Sequence, residues 1–441
     1  MRLFARLSLA LLLAAPAAQG ADLIEIFRMA QSADAQYAAA RAVWSAGQEK
    51  LPQGLSGLLP SATASASTQY SDRELRFRNP GTPPSNAQFN SNSISLSVTQ
   101  PLYRPQNLTA YEQSKTQVAQ SDATFAQAAQ DLILRVAQAY LDVLLAQDTI
   151  VFAQAQLTAI GRQLEQAKRN FEVGTATITD THEAQSRYDL TTSAEIAARN
   201  DLEIRKRLLE LIIGRPAPGI SPLGKRFSLR LPEPPNMDRW IAEAGENNLQ
   251  VRINRASLEF AMQEIERNRA GHRPTVDAFA SYTDSGAGSG IQGGTGIDTT
   301  TKVIGLQLAI PIYQGGLTSS RVREAVANED KAKQDLENAY RTAQLTAQQT
   351  FLGVASGMSQ VNALEAALVS SQSSLDSTRL GQEVGVRTQI DVLNAQQQLS
   401  QTRRDLAQAK YNYILSLLRL KAAAGQLTEQ DLAIVNGWLD R

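Results

Sequence analysis

The composition of this 441-residue chain excludes several classes of protein. Its 43 basic residues balance its 43 acidic ones, so no overall field favours nucleic acid. The absence of cysteine excludes disulfides, thiolate metal sites, a catalytic thiol and a lipid-modified N-terminal cysteine. The two histidines, His182 and His272, have no partner at metal-ligand spacing, so we expect no catalytic residues, no metal site and no cofactor.

Residues 1–20 have the pattern of a secretory signal peptide. Arg2 and Arg6 precede an apolar run, and small residues follow up to Gly20, near which we expect cleavage. The alternative is a transmembrane anchor, but the apolar run of about 10 residues is well short of the roughly 20 that cross a bilayer as a helix. In the rest of the chain we expect no segment long and apolar enough for a membrane-spanning helix.

Four segments are predicted as β-strands, in two pairs: 61–70 with 91–101, and 274–282 with 301–311. Their lengths of about 9 to 11 residues suit tilted transmembrane strands. Segments 91–101 and 301–311 alternate clearly, with aliphatic residues on one side of the strand and mostly polar residues on the other. The aliphatic residues that we expect to face lipid are Ile94, Leu96, Val98, Ile304, Leu306 and Leu308.

The same alternation also describes a strand of an ordinary β-sandwich. A sandwich needs a second sheet, however, and this chain has four predicted strands, separated in pairs by long helices. In a membrane every backbone group must be paired, so a four-stranded sheet has to be completed by other chains. The strand count therefore predicts an oligomer, with eight, twelve or sixteen strands for two, three or four copies.

Long helices are predicted between the strand pairs. No proline interrupts residues 106–172, and apolar residues such as Ile160 and Leu164 recur at steps of three and four, which is typical of a coiled-coil seam. Antiparallel hairpins turning at Gly174 and Gly385 are the simplest interpretation, because glycine accepts positive φ. An isolated structural coiled coil is the alternative, which the strands disfavour.

The chain is predicted to be an internal duplication. The segment "FEVGTATITDTHEAQ" (171–185) aligns with "QEVGVRTQIDVLNAQ" (382–396) at an offset of about 211 residues, and the strands repeat at a similar offset. The predicted organisation is a signal peptide (1–20), a first structural repeat (21–214), a proline-rich connector (215–235), a second structural repeat (236–425) and a C-terminal segment (426–441).

One glycine pattern formally matches a dinucleotide fingerprint. Gly288, Gly290 and Gly293 have the spacing G-x-G-x-x-G. That fingerprint works only when a strand precedes it and a helix N-terminus follows to meet the pyrophosphate. Here a strand is predicted to follow, which favours a flexible turn over a nucleotide site.

Several stretches resemble the TolC family of outer-membrane channel-tunnels: "PIYQGG" (311–316), "NFEVGTATITD" (170–180), "VGVRTQIDVLNA" (384–395), "SSLDS" (373–377) and "AKYNYI" (409–414). The resemblance implies an α+β membrane protein, a homotrimer whose twelve-stranded β-barrel takes four strands from each chain. A long α-helical coiled-coil barrel continues it into the periplasm of a Gram-negative cell.

The resemblance also implies a function and its partners. The protein would be the outer-membrane exit duct for type I secretion and drug efflux, surrounded by outer-membrane lipid. A periplasmic adaptor (membrane fusion protein) and an inner-membrane ABC or RND-type transporter would dock to it. The alternative functions are an enzyme, which the lack of catalytic groups disfavours, and a structural periplasmic or surface coiled coil, or an adaptor, without a channel.

Family roles at the periplasmic end carry over to particular residues. Asp391 matches the first of two aspartate rings at the constriction, whereas Asn394 stands where the family has the second. The family's latch arginine matches Arg387, and its bonding partners match Thr179 and Asp180. From the residues alone, Arg387 and Asp391 form an ordinary i,i+4 surface pair worth about 0.3 to 0.5 kcal/mol.

Two further features of this end follow from the resemblance. A tyrosine that completes the family's latch is Gln382 here, so closure would be held differently. The residues matching the tips that meet the adaptor are Val173, Gly174, Thr175, Val384, Gly385 and Val386. Without the resemblance these six residues would be simple helix-hairpin turns.

Overall fold

The structure, a computed structural model, describes residues 20–440 apart from 77, 79–80, 82–83 and 293–294. The predicted signal peptide therefore lies outside the described residues except for Gly20, as does Gly293 of the glycine pattern. In chain order the elements are α1 (Leu23–Ala33), α2 (Ala35–Gln48), α3 (Lys50–Ser56), β1 (Ser61–Leu75), β2 (Ser85–Tyr103), α4 (Pro105–Glu172), α5 (Ile178–Ile213), α6 (Met237–Asn247), α7 (Leu249–Arg269), β3 (Thr275–Gln292), β4 (Thr295–Ala309), α8 (Leu317–Glu383), α9 (Gln389–Ala423) and α10 (Glu429–Asn436).

The strands are longer than the sequence predicted. β2 begins at Ser85 instead of residue 91, and β3 continues to Gln292 instead of ending at 282. The glycine-rich stretch predicted as a turn is therefore mostly strand, because glycines without an alternating pattern can still pair their backbone groups across the sheet. Strand β4 follows it, as expected, so a nucleotide-binding strand-to-helix turn is absent from the described part of this segment.

The four strands form one antiparallel sheet in the order β1-β2-β3-β4. Val98 pairs with Ala62 on one side and with Ala280 on the other, and Ala280 pairs with Ile304. Directly paired residues point to the same face, so the aliphatic residues of β2 and β4 share one face. On the opposite face the hydroxyls of Ser65 and Ser95 lie 2.7 Å apart. The predicted alternation is confirmed.

The chain divides into two compact units that do not follow the predicted repeats. The first unit consists of the residues up to 41, 125–251 and those from 340 onward; the second consists of 42–124 and 252–339. Each unit thus takes segments from both halves of the sequence. The second unit contains the whole four-stranded sheet.

The core of the first unit joins its N-terminal, central and C-terminal segments. Leu23 of α1, Leu144 of α4, Leu209 of α5, Trp240 of α6 and Ile414 of α9 are buried almost completely. All belong to one contiguous apolar cluster. Burial of this apolar surface is the main stabilising contribution.

Two buried tyrosines attach the proline-rich connector to this core. The hydroxyl of Tyr140 donates to the Ser221 carbonyl at 2.8 Å, and that of Tyr413 donates to the Arg230 carbonyl at 2.5 Å. Between the end of α5 at Ile213 and the start of α6 at Met237 the described residues form no helix. The connector is therefore held by hydrogen bonds although its prolines exclude regular structure.

One expectation about membrane helices is wrong. Helix α4 contains an 18-residue window of mean hydropathy 1.3 with few charges, so by length and composition it is apolar and long enough to cross a membrane. The same helix contributes Leu132, Val136, Tyr140 and Leu144 to the core of the first unit. Since 22% of this window is buried, burial in the core does not account for its composition, and α4 is a candidate span by length and composition alone.

Candidate functional site: the two helical hairpin turns

Two helical hairpins end, within the first unit, in turns built in the same way. The first hairpin is α4 with α5, and the second is α8 with α9. Gly174 and Gly385 each have φ of 80°, and the N–H of the following residue returns to a carbonyl of the preceding helix at 2.8 Å and 2.9 Å, respectively. A Cβ added at either glycine would meet nothing within 4 Å, so the requirement for glycine is purely conformational. The predicted turns are confirmed.

Apolar side chains project from both turns into solvent. Val173 is 73% exposed, Val384 66% and Val386 76%. The tip surface, defined as Val173, Gly174, Thr175, Val384, Gly385 and Val386, is exposed throughout. Exposed apolar side chains at a hairpin end contribute nothing to the core, so they are available to a partner.

Capping boxes begin the helices that follow the turns. The carboxylate of Asp180 accepts hydrogen bonds from the backbone N and the hydroxyl of Thr177, at 2.9 Å and 2.8 Å. Asp391 accepts the equivalent pair from Thr388, both at 2.9 Å. These bonds, from the Thr388 N–H first and its hydroxyl second, hold the pKa of Asp391 below its ordinary value, with a smaller contribution from Arg387.

Thr177 and Thr388 are capping residues that were not predicted from the sequence. The signal was present, because the spacing T-x-x-D before a helix is the pattern of a capping box. Asp180 and Asp391 thus have a local structural role in addition to any role in a channel.

The predicted latch residues are not joined to one another within this chain. Among the described residues, the side chain of Arg387 makes no hydrogen bond or ion pair to Thr179 or Asp180, whose carboxylate is bonded to Thr177. Gln382 donates instead to Gln389 of its own hairpin. The latch stays a prediction about contacts beyond one chain or about another state.

Asn394 contacts a residue that the sequence analysis did not single out. The guanidinium of Arg187, on α5, donates to the side-chain oxygen of Asn394 at 3.3 Å and to that of Gln397 at 2.8 Å. Arg187 lies 207 and 210 residues from these partners, so no local pattern could have indicated the contact. The two histidines, by contrast, are exposed, as expected for surface residues.

The fold and these turns define a class of protein: one four-stranded antiparallel sheet per chain, connected to two long helical hairpins. Comparison with known sequences leads to the same class of protein. Residues 27–215 and 240–426 match the family described as "Outer membrane efflux protein". The chain is 34% identical to the outer membrane protein TolC of Escherichia coli K12 over 434 residues, which is 96% of this chain and 86% of that protein.

Two further likenesses cover almost the whole chain. The proteases secretion protein PrtF of Dickeya chrysanthemi is 30% identical, over 98% of this chain and 94% of its own length. The crystal structure of the outer membrane protein VceC of Vibrio cholerae matches with a TM-score of 0.77 at 17% identity, covering 91% of this chain and 96% of that one. At that identity VceC supports the fold alone.

The chain belongs to the outer membrane efflux protein family. It is an outer-membrane protein with the fold of the TolC-type channels.

Proposed function

We propose that three copies of this chain form the outer-membrane exit duct of a tripartite export system. The duct passes proteins, by type I secretion, or drugs from an inner-membrane transporter and a periplasmic adaptor to the outside. Transport through it is passive, and the only conformational change required is opening of the periplasmic end. We assign no catalytic role, metal or cofactor to the chain.

The sheet carries this proposal. Strands β1 and β4 are its two edges, and the described residues of each pair with one neighbouring strand only. Its aliphatic face is exposed, with Ile304 87% and Leu306 70% accessible. A sheet in lipid cannot leave backbone groups unpaired, so β1 and β4 must pair with strands of other copies.

Three copies give a closed barrel of twelve strands. Two or four copies would also close a barrel, and the resemblance to the TolC family supports three. The aliphatic set Ile94, Leu96, Val98, Ile304, Leu306 and Leu308 then faces lipid. The hydroxyl face that includes Ser65 and Ser95 lines the water-filled interior.

An internal duplication explains the arrangement of the helices. The family match falls into two segments, 27–215 and 240–426, which correspond to the repeats proposed at 21–214 and 236–425. Each repeat supplies two strands and one long hairpin, and both hairpins end in a glycine turn followed by a capping box. The connector (215–235) and the C-terminal segment (426–441) complete the chain.

The hairpin turns are the periplasmic end of the duct. The tip surface docks the adaptor, and Asp391 and Asn394 line the constriction, with three carboxylates per trimer because Asn394 is neutral. Arg387 closes the end by bonding Thr179 and Asp180 across a contact between hairpins, and Gln382 takes the place of the family's tyrosine. The name of PrtF, a proteases secretion protein, supports protein cargo and hence an ABC-type transporter over an RND-type one.

Purification from outer membranes tests the proposal. The chain should fractionate with the outer membrane, require detergent and have the mass of three copies by light scattering corrected for detergent. In planar bilayers it should form ion-conducting pores. A monomer that stays soluble without detergent would overturn the proposal and favour the structural coiled coil or an adaptor without a channel.

A further inference from the structure

We propose that Arg187 is a positioning residue that holds the second hairpin against the first near their turns, and so sets how far the periplasmic end is open at rest. The inference rests on the proposed function, because it assigns Arg187 a role in the same duct. It concerns a contact within one chain, whereas the latch proposed for Arg387 requires a contact that this chain does not form with itself.

The geometry at Arg187 is that of a fork with two acceptors. Its two terminal nitrogens donate to different residues of α9: Nη1 to Gln397 Oε1 at 2.8 Å and Nη2 to Asn394 Oδ1 at 3.3 Å. Asn394 and Gln397 are one helical turn apart and therefore present their amides on the same side of α9. The planar guanidinium matches such a pair of oxygens, which the point charge of a lysine would not.

A residue of the same helix keeps this fork in place. Glu183, one turn before Arg187 on α5, lies 3.6 Å from its Nε. The guanidinium is thus approached by a carboxylate on its own helix and by two amides on the other hairpin. Glu183 and Arg187 belong to the same helix, so their contact orients the guanidinium but does not connect the hairpins. The hydrogen bonds from Arg187 to α9 make that connection.

Apolar packing between the two hairpins is interrupted beside Arg187. Ile160 of α4 and Leu393 of α9 are both buried, but they line a cavity of about 210 Å³ together with Arg187 and Gln397. Atoms that border a void lose contacts on that side. A second polar contact, from Gln389 to the Gln163 carbonyl, is longer at 3.4 Å. The fork at Arg187 is therefore the best-formed polar connection beside this cavity.

The neutral acceptors have a functional consequence. Amide oxygens attract the guanidinium less than a carboxylate does, so the contact can break when the end opens. An aspartate at position 394 would make an ion pair with Arg187 instead. We therefore expect Asn394→Asp to hold the hairpins together more tightly and to lower the resting conductance.

Cross-linking tests the contact directly, because the chain has no cysteine of its own. With Arg187→Cys and Gln397→Cys combined, a short bis-maleimide should join the two positions within one chain and change the mobility of the monomer band on a denaturing gel. The control pair is Arg199→Cys with Gln397→Cys, since Arg199 bonds Glu195 of its own helix; it should cross-link poorly. A band of dimer mass, or equal yields from both pairs, would overturn the inference.

Single-channel recording tests the role. Arg187→Gln should raise the resting conductance or open time severalfold, and Arg199→Gln, the matched control, should leave both unchanged. Trimer mass is measured for each variant so that a folding defect is recognised. If the wild type conducts as a trimer and Arg187→Gln behaves like it, the inference fails while the proposed function stands. If the wild type forms no pores, the proposed function fails, and absence of the intrachain cross-link would remove the contact as well.

Discussion

The carboxylate of Asp391 accepts two hydrogen bonds from Thr388, one from the backbone N and one from the hydroxyl, each 2.9 Å long. The same carboxylate is the charge that we place at the constriction of the duct. The residue therefore combines a local role, starting helix α9, with a role in the electrostatics of the channel. The two roles can be separated by substitution, because changing Asp391 removes the charge, whereas changing Thr388 weakens the cap and keeps the charge.

We predict that Asp391→Asn weakens block of the channel by trivalent cations, because a ring of carboxylates at a narrow mouth concentrates and binds such ions. Thr388→Ala is the matched control, since it removes both hydrogen bonds of the Thr388 hydroxyl, one to the Asp391 carboxylate and one from the Asp391 N–H, and keeps the charge. Its block should stay close to that of the wild type. The measurement is the blocking concentration in planar bilayers, and unchanged block in Asp391→Asn would remove the ring from the mechanism.

The stability contribution of this cap should depend on pH. The hydrogen bonds from Thr388 hold the pKa of Asp391 below its ordinary value. For a carboxylate with a lowered folded-state pKa, the contribution is fully present above the unfolded-state pKa and is lost as the pH falls through the folded-state pKa. Thermal melts should therefore separate wild type from Asp391→Asn at pH 7, and the difference should shrink in acid. A constant difference would contradict the assignment.

A third prediction concerns Tyr411, whose hydroxyl donates to the carboxylate of Asp148 at 2.7 Å. Burial raises the pKa of Asp148, and the bond from Tyr411 opposes that rise. Tyr411→Phe removes the donor from a partly buried carboxylate and should lower the free energy of unfolding by about 1 to 3 kcal/mol. Denaturant titration in detergent measures the loss.

Asp148→Asn provides the control for this pair, because an amide oxygen can still accept from Tyr411 without carrying a charge. It should cost less than Tyr411→Phe. Because the folded-state pKa of Asp148 is raised, the group favours the folded state as the pH falls through that pKa. The wild type should show this gain in acid and Asp148→Asn should lack it; the same gain in both would contradict the assignment.

A fourth prediction concerns the turn of the second hairpin. Gly385→Ala should destabilise the protein by about 1 to 2 kcal/mol, because an alanine at positive φ is strained even where its Cβ has space. Gly353→Ala, inside α8, is the matched control: its Cβ also meets nothing within 4 Å, and its φ is not positive. Alanine in a helix interior should stabilise by about 0.5 to 1 kcal/mol. If Gly385→Ala and Gly353→Ala shift the unfolding curve in the same direction, strain at positive φ is not the cause of the effect at Gly385.

A fifth prediction assigns the faces of the sheet. Leu96→Arg should reduce folding stability in lipid vesicles by about 2 to 4 kcal/mol if the side chain lies near the bilayer midplane, because charge on the lipid face is costly. Ser97→Arg, on the next residue of β2 and the opposite face, should cost much less. Urea titration of vesicle-inserted protein compares them. Equal costs would mean that the aliphatic face does not meet lipid.

Local patterns predicted the elements whose cause is local. The glycines at 174 and 385 indicated turns, and the turns are there because glycine adopts positive φ without strain. Steps of three and four indicated α4, which runs from Pro105 to Glu172 without a break. Alternation indicated the two faces of β2, because side chains of a strand point to opposite sides in turn.

Only the tertiary structure decided the rest. Strand β3 extends past residue 284 because the backbone of residues 285–287 and of Gln292 pairs with β4, and the glycines there give no alternating signal. The contact of Arg187 with Gln397 joins positions 210 residues apart, so it depends on two hairpins lying side by side. A sequence pattern reflects the conformation that a residue favours in its own turn or strand. Strand pairing and side-chain packing depend instead on which distant segment lies beside that residue.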